Sequence, residues 1–402
     1  MHGEGTAGPK PAPKRPRRLL VGFRPEILLA LCSVLIALLA GEVALRYLAP
    51  IPDPFARFKV EDRAAAYVPS AHEPNYRLTI TPEPGLPGVT SASVFHTNNL
   101  GFRGGPLVQP KPADEFRVFL VGGSTMETML LGGSEALDRV VQTRLQGWPG
   151  GSRNVKVYNT AKSGDKSYDH VALIVHRLLH LEPDLLVVMA GVNDLRAAML
   201  GADYLLLSGS RAMKYTLPIL LKFAATELQI PRRVYAALHR LTIDERERLE
   251  QITLVTDYAE KVRLRQGRPL SDRVPLTDVG PYRENLLTIE GAARAHGVAL
   301  VWVTHPSTWN SVIDPRVAAW HWMTYLEGEN YREDLLDQAL TAYNDAVRRV
   351  AAEHSTPLVD LAADMPKSLE YFVDDVHFNA RGAARAGGLL ADVIRTAVTA
   401  RK

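Results

Sequence analysis

The 402-residue chain has a formal net charge of +3, 46% hydrophobic and 23% charged residues, which is enough apolar material for one large core plus attachments. The charge is uneven: residues 1–24 hold Lys10, Lys14, Arg15, Arg17, Arg18 and Arg24 against Glu4, and the remainder is close to neutral. That leaves no broad basic surface on the folded part, which excludes nucleic acid as an expected partner.

Beyond the basic tail, residues 27–41 carry no charge, and the apolar character continues through Val43, Ala44 and Leu45, interrupted by Glu42. A helix needs roughly 20 apolar residues to cross a bilayer, so a transmembrane helix is expected over 26–48, contacting the membrane through 27–45. Basic residues before the span predict a cytoplasmic N-terminus, hence a single-pass protein of the inner (cytoplasmic) membrane with its body on the periplasmic side. A cleaved signal peptide ending at Ala40 or Gly41 fits the same basic-then-apolar template, although Leu38 is large for the third position before such a cut. Cys32 is the single cysteine, so the outer body is expected to stand on its core without disulfides.

Residues 49–112 contain Pro50, Pro52, Pro54, Pro82, Pro84 and Pro87 and only short β-like patches such as 76–80, the pattern of a stem or lead-in segment. From about residue 113 the grammar changes. Apolar runs at 117–121, 155–158, 185–189, 298–304 and 357–359 predict buried strands, and helical periodicity falls at 134–145, 168–181, 282–296, 334–354 and 380–398. Continuously apolar strands need helices on both faces, so the expected fold class is α/β: three layers around a mostly parallel five-stranded sheet. The stretch from 195 to about 280 breaks the alternation, with helix-like segments at 217–228 and 242–259. It reads as an insertion, either a cap beside the site or a plain helical elaboration.

Four short blocks carry candidate chemistry. Gly122, Gly123, Ser124 and Thr125 follow the first buried strand, a position that lifts a serine hydroxyl to the carboxyl end of the sheet; the same letters also make an ordinary turn and helix cap. Asn159 to Gly164 follow the second strand, where Gly164 lets the backbone approach a ligand or simply turns the chain. Gly191, Val192, Asn193 and Asp194 follow the third strand; Asn193 can donate to developing negative charge, or cap the next helix. Asp374, Asp375, Val376 and His377 precede the last helix, and a histidine three residues after an aspartate lets the carboxylate hold Nδ1–H while Nε2 faces a nucleophile. Asp375 is one residue too close to His377 for that geometry. His305 ends the fourth strand at the same edge of the sheet and, like Asp194, is a possible substrate contact. Glu127, Lys162 and Asp165 adjoin the blocks and fit either substrate-orienting or helix-capping roles.

Taken in order, Gly-Gly-Ser-Thr, Gly164, Gly-Val-Asn-Asp and Asp-x-x-His resemble the blocks of the SGNH/GDSL hydrolase family, over about residues 117–396 with the insertion unmatched. Gly123 departs from the better-known version, which has Asp before the serine. Residues 97–104 (TNNLGFRG) also resemble the lead-in of membrane-associated bacterial members. The resemblance implies a flavodoxin-like SGNH-hydrolase fold over 113–402, a triad of Ser124, Asp374 and His377, and an oxyanion hole from Ser124, Gly164 and Asn193. It implies a serine esterase or O-acyltransferase with an acyl-Ser124 intermediate, acting on an acylated carbohydrate or cell-surface glycan, acetyl esters foremost. No Walker-type loop, dinucleotide fingerprint or metal-ligand cluster is visible, so no cofactor and no metal is expected. A lipase or thioesterase, for which 217–221 would line an acyl groove, and a non-catalytic anchored scaffold of a polysaccharide assembly are the competing readings.

Overall fold

The computed structural model describes residues 25–51, 72–82, 85–89, 91–146, 154–199, 224, 227–238, 262–263, 265–273, 278–326 and 328–400. It divides into two units, Met1–Asp53 with Leu220–Arg240, and Pro54–Ile219 with Leu241–Lys402. Of the helix-like segments expected in the insertion, 242–259 and most of 217–228 lie outside the described residues.

In the smaller unit, helix α1 (Pro25–Leu48) is long and apolar enough to cross a membrane, with a mean hydropathy of 2.5 over its most apolar window. Its outward residues are greasy, among them Leu29, Leu35 and Ile36. Glu42, the charge that interrupts the apolar run, is buried: its carboxylate accepts the backbone N–H groups of Gln229 (2.7 Å) and Ile230 (2.9 Å) and Nε of Arg46 (2.9 Å). Those N–H groups open a second helix of the same unit (Gln229–Leu238) and lack partners within it, so Glu42 satisfies donors that a helix start leaves free. Ile51 adds a further tie, its N–H donating to Gln229 Oε1 at 2.9 Å.

The larger unit is built on five parallel strands, β3 (Glu115–Gly122), β4 (Asn154–Asn159), β5 (Leu185–Met189), β6 (Ala299–Val303) and β7 (Leu358–Val359), ordered β4-β3-β5-β6-β7. Side chains alternate across the pleat. Val118 and Leu120 share a core with Leu137, Val141, Leu390 and Ile394, whereas Phe119 and Val121 share another with Ile174, Leu286, Ile289 and Val347. Helices α3 (Leu137–Leu145) and α8 (Ala380–Ala400) thus cover one face, and α4 (Ser167–His176), α6 (Gly280–Ala295) and α7 (Glu333–His354) the other. This is the expected three-layer α/β fold. The chain leaves β3 in one direction to form β4 and returns across it to form β5, so the carboxyl ends of β3, β4 and β5 surround a topological switch point, where open α/β sheets hold their ligands.

Two differences from the sequence reading have visible causes. The helix expected over 168–181 ends at His176, because Arg177 leaves helical geometry; its guanidinium donates to the Leu100 carbonyl at 2.6 Å and lies 4.9 Å from the Phe102 ring centroid. The proline-rich lead-in contributes an antiparallel pair, β1 (Arg77–Ile80) and β2 (Ser93–His96), whose Leu78, Ile80 and Phe95 enter the same core as the sheet.

Arg103, from the TNNLGFRG stretch, ties this segment to the site-bearing turn. Its backbone pairs with Asn159 at the end of β4, and its buried guanidinium donates to the carbonyls of Glu127 (2.7 Å), Thr128 (3.0 Å) and Leu131 (2.9 Å). The Asp138 carboxylate lies 3.6 Å from Nε of Arg103, so Arg103→Met is expected to strand three carbonyls and that carboxylate together. The expected cost is ~3–5 kcal/mol, read as a fall in the urea midpoint with an unchanged slope.

Candidate active site

Strand β3 ends at Gly122, and Ser124 begins the single-turn helix α2 (Ser124–Glu127). Between them, Gly123 leaves no room for a side chain: a Cβ there would stand 2.6 Å from Nδ2 of Asn193. Asn193, on α5 (Val192–Met199), donates from Nδ2 to the Asp165 carbonyl at 2.9 Å, which couples the end of β5 to the loop after β4. That loop is held along β3 by Thr160 N–H to Leu120 O (2.9 Å) and Lys162 N–H to Gly122 O (3.0 Å). Gly164 then adopts φ +87°, a left-handed conformation that favours glycine, with open space where a Cβ would be.

From the other side of the sequence, His377 reaches Ser124 with Nε2 2.8 Å from Oγ. Its Nδ1 lies 2.9 and 2.8 Å from the two oxygens of Asp374. An ionised carboxylate only accepts hydrogen bonds, so the proton sits on Nδ1 and Nε2 is left to accept from the serine hydroxyl. Asp374 is fully buried and accepts three further donors: the backbone N–H groups of Val376 (3.0 Å) and His377 (2.9 Å), and Nε1 of Trp322 (2.8 Å). Burial pushes its carboxyl pKa up, but attraction to the protonated form of His377 and the hydrogen bonds from His377 and Val376 outweigh it and hold the carboxyl well below the usual range.

Asp375 turns elsewhere, accepting from Trp309 Nε1 (2.8 Å) and the N–H groups of Trp322 (2.7 Å) and Met323 (3.2 Å). The two adjacent aspartates thereby grip Trp322 by its side chain and its backbone. The indole also lies parallel to the His377 ring, 4° between planes and 6.3 Å between centroids. The Arg196 guanidinium stands 5.1 Å from the Trp322 ring centroid. Neither Trp322 nor Arg196 was singled out by the sequence. Trp322 lies on an irregular segment with no motif, and Arg196 is one turn past Asn193 with nothing in its spacing to mark it.

Two expected substrate contacts take other places. Asp194 is fully buried and accepts from Ser167, both N–H (3.0 Å) and Oγ (2.6 Å), so it braces the start of α4 against the start of α5 instead of facing a ligand. His305 is also buried, its ring Nδ1 3.0 Å from the Pro306 carbonyl and its backbone clasped by Asn344. Burial, reinforced by the His377 charge and opposed by that hydrogen bond, lowers its pKa to about 3, so the ring is neutral. Glu127 is buried too, bonded to His72 Nε2 (2.7 Å) and to the Ser163 hydroxyl, which fastens the residue before Gly164 to α2. Among the described residues no group of three or more His, Cys, Asp or Glu side chains is placed to hold a metal ion.

The chain is a hydrolase of three-layer α/β architecture that acts on ester bonds. Residues 120–385 match the GDSL-like Lipase/Acylhydrolase family, and the chain belongs to that family. No curated protein matches it. Among solved structures it is similar to a lipase/acylhydrolase from Enterococcus faecalis (16% identity, covering 70% of this chain and 96% of that one, TM-score 0.38). It is also similar to an acetylxylan esterase from Geobacillus stearothermophilus (13%, 70% and 94%, TM-score 0.38) and a GDSL-like lipase from Bacteroides thetaiotaomicron (13%, 74% and 93%, TM-score 0.38).

Gly123→Ala is expected to displace the Asn193 amide and lower ester turnover on the order of 100-fold, measured as kcat on an activated acetyl ester with the fold checked by circular dichroism. The depressed Asp374 pKa sets a second expectation. Its stabilising contribution is complete above the unfolded value, ~3.9, and is lost as pH falls towards the lower folded value. Asp374→Asn lacks this group, so the acid-side fall of Tm with pH is expected to be shallower in the variant than in the wild type.

Proposed function

We propose that the chain is an extracytoplasmic serine esterase or O-acyltransferase that removes or transfers an acyl group, acetyl foremost, on a carbohydrate or cell-surface glycan. The observation that carries this reading is the unbroken relay from buried Asp374 through His377 to Ser124 Oγ, with 2.8 Å at each end. His377 Nε2 takes the serine proton as Oγ attacks the ester carbonyl carbon. The N–H groups of Ser124 and Gly164 and the Asn193 amide receive the charge that builds on the carbonyl oxygen. When the intermediate collapses, the protonated imidazole gives its proton to the departing alcohol. Water or an acceptor hydroxyl, deprotonated by the same imidazole, then releases the acyl group from Ser124.

We assign residues 1–25 to a cytoplasmic tail, 26–48 to a transmembrane anchor, and 113–402, preceded by the lead-in 49–112, to the hydrolase body with its insertion at about 195–280. The basic residues ahead of the apolar helix support a body held outside the cytoplasm, facing surface polymers.

The test is cleavage of p-nitrophenyl acetate and acetylated sugars by the detergent-solubilised full chain. Ser124→Ala and His377→Ala are each expected to lower kcat by at least about 10⁴-fold while remaining folded. Addition of a sugar acceptor then separates transfer from hydrolysis by the product formed. Equal rates in wild type and both variants would overturn the assignment.

A further inference from the structure

Arg196 has features that the hydrolytic relay does not use. It sits one helical turn beyond Asn193 on α5, next to Trp322 and so beside the ring pair Trp322 and His377. It is only partly exposed, and among the described residues its guanidinium makes no hydrogen bond and no ion pair. The carboxylate whose charge acts on it is Asp375, whose oxygens accept from Trp309, Trp322 and Met323. Burial lowers the Arg196 pKa and the Asp375 charge raises it, yet an arginine remains protonated at any physiological pH.

A partly buried guanidinium with no acceptor among the described residues keeps N–H donors available to a ligand. The two buried arginines of this unit are paired differently. Arg103 donates to three carbonyls, and Arg117 donates to Glu115 Oε1 (2.6 Å) and to the Leu181 carbonyl (2.8 Å). Arg196 lacks such acceptors among the described residues, and it lies beside the Trp322 and His377 rings. Its planar fork matches the two oxygens of a carboxylate or phosphate, and contact with the Trp322 ring restricts its side chain before a ligand arrives.

Resting on the ester-hydrolase reading above, we infer that Arg196 forms an anion subsite of the same active site, selecting esters whose sugar carries an oxyanion, a uronate carboxylate or a phosphate, close to the acylated hydroxyl. The substrate class narrows from acylated glycans in general to acidic ones. Neutral acylated sugars leave the guanidinium unpaired and are the poorer substrates.

Binding and turnover test this separately. In the full chain carrying Ser124→Ala, in detergent, calorimetric titration with trigalacturonate, glucose 6-phosphate and neutral xylotriose is expected to show an anionic sugar binding at least about tenfold more tightly than the neutral one, less so as salt rises. Adding Arg196→Gln is expected to erase that preference, and Arg196→Lys to retain part of it. The stronger of the two anionic ligands identifies the group as carboxylate or phosphate. With Ser124 intact, the ratio of kcat/KM for an O-acetylated glucuronoside to that for its neutral carboxamide is expected to fall at least about tenfold in Arg196→Gln. A structural role alone would lower both values together and leave the ratio unchanged. Equal binding of charged and neutral sugars, or an Arg196→Gln protein that keeps the preference, overturns the inference even where Ser124-dependent hydrolysis persists. Absence of any Ser124-dependent hydrolysis would sink the esterase reading instead, while the titration still decides the role of Arg196.

Discussion

A carboxylate removed from water must be given donors and a counter-charge, and the larger unit is arranged around meeting that demand at Asp374. Backbone N–H groups two and three residues on bend the chain into a tight loop, Trp322 contributes its indole N–H from a distant segment, and His377 supplies the remaining partner. The loop can take this shape only where 309, 322 and 323 are also fixed, which is the task of Asp375. Two neighbouring acids, both buried, therefore divide the labour. One orients the imidazole and the other holds the wall that satisfies the first.

The sheet places the complementary half. Because β3 sits between β4 and β5, three loops converge on one point, and they are cross-linked to one another before any ligand is considered: Asn193 to Asp165, Lys162 to Gly122, Ser163 through Glu127 to α2. A hydroxyl, a glycine backbone and an amide thus share a rigid frame. Such prior arrangement is what lets dipoles stabilise charge without reorganising when it appears.

Much of this was legible in the residues. Strands such as 185–189 announce themselves because burial on both faces leaves no polar position, and the four blocks announce themselves because catalysis by a serine needs a base, an orienting acid and donors at strand ends. The legibility stops where a side chain acts through a partner far along the chain. Trp322 and Arg196 belong to no periodic pattern, and their contact joins segments more than a hundred residues apart. Asp194 and Glu127 looked available to a ligand because sequence carries polarity but not depth, and both turn out to be buried braces. The break at Arg177 depends on Leu100 and Phe102, which no local propensity contains. The hairpin strand at 93–96 was missed because its hydrophobic pattern is too short to stand out without the partner strand at 77–80.

Glu42 has a bearing on how α1 would lie in a bilayer. The helix continues to Leu48, but the stretch free of charge and of partners from its own unit stops at Gly41, where the carboxylate and its helix-start donors begin. From Ile27 to Gly41 the rise is roughly 22 Å, less than the ~30 Å of a typical hydrocarbon layer. In a bilayer a span of that length would favour a thinner hydrocarbon layer, and the polar junction at Glu42 would set how deeply the helix is seated.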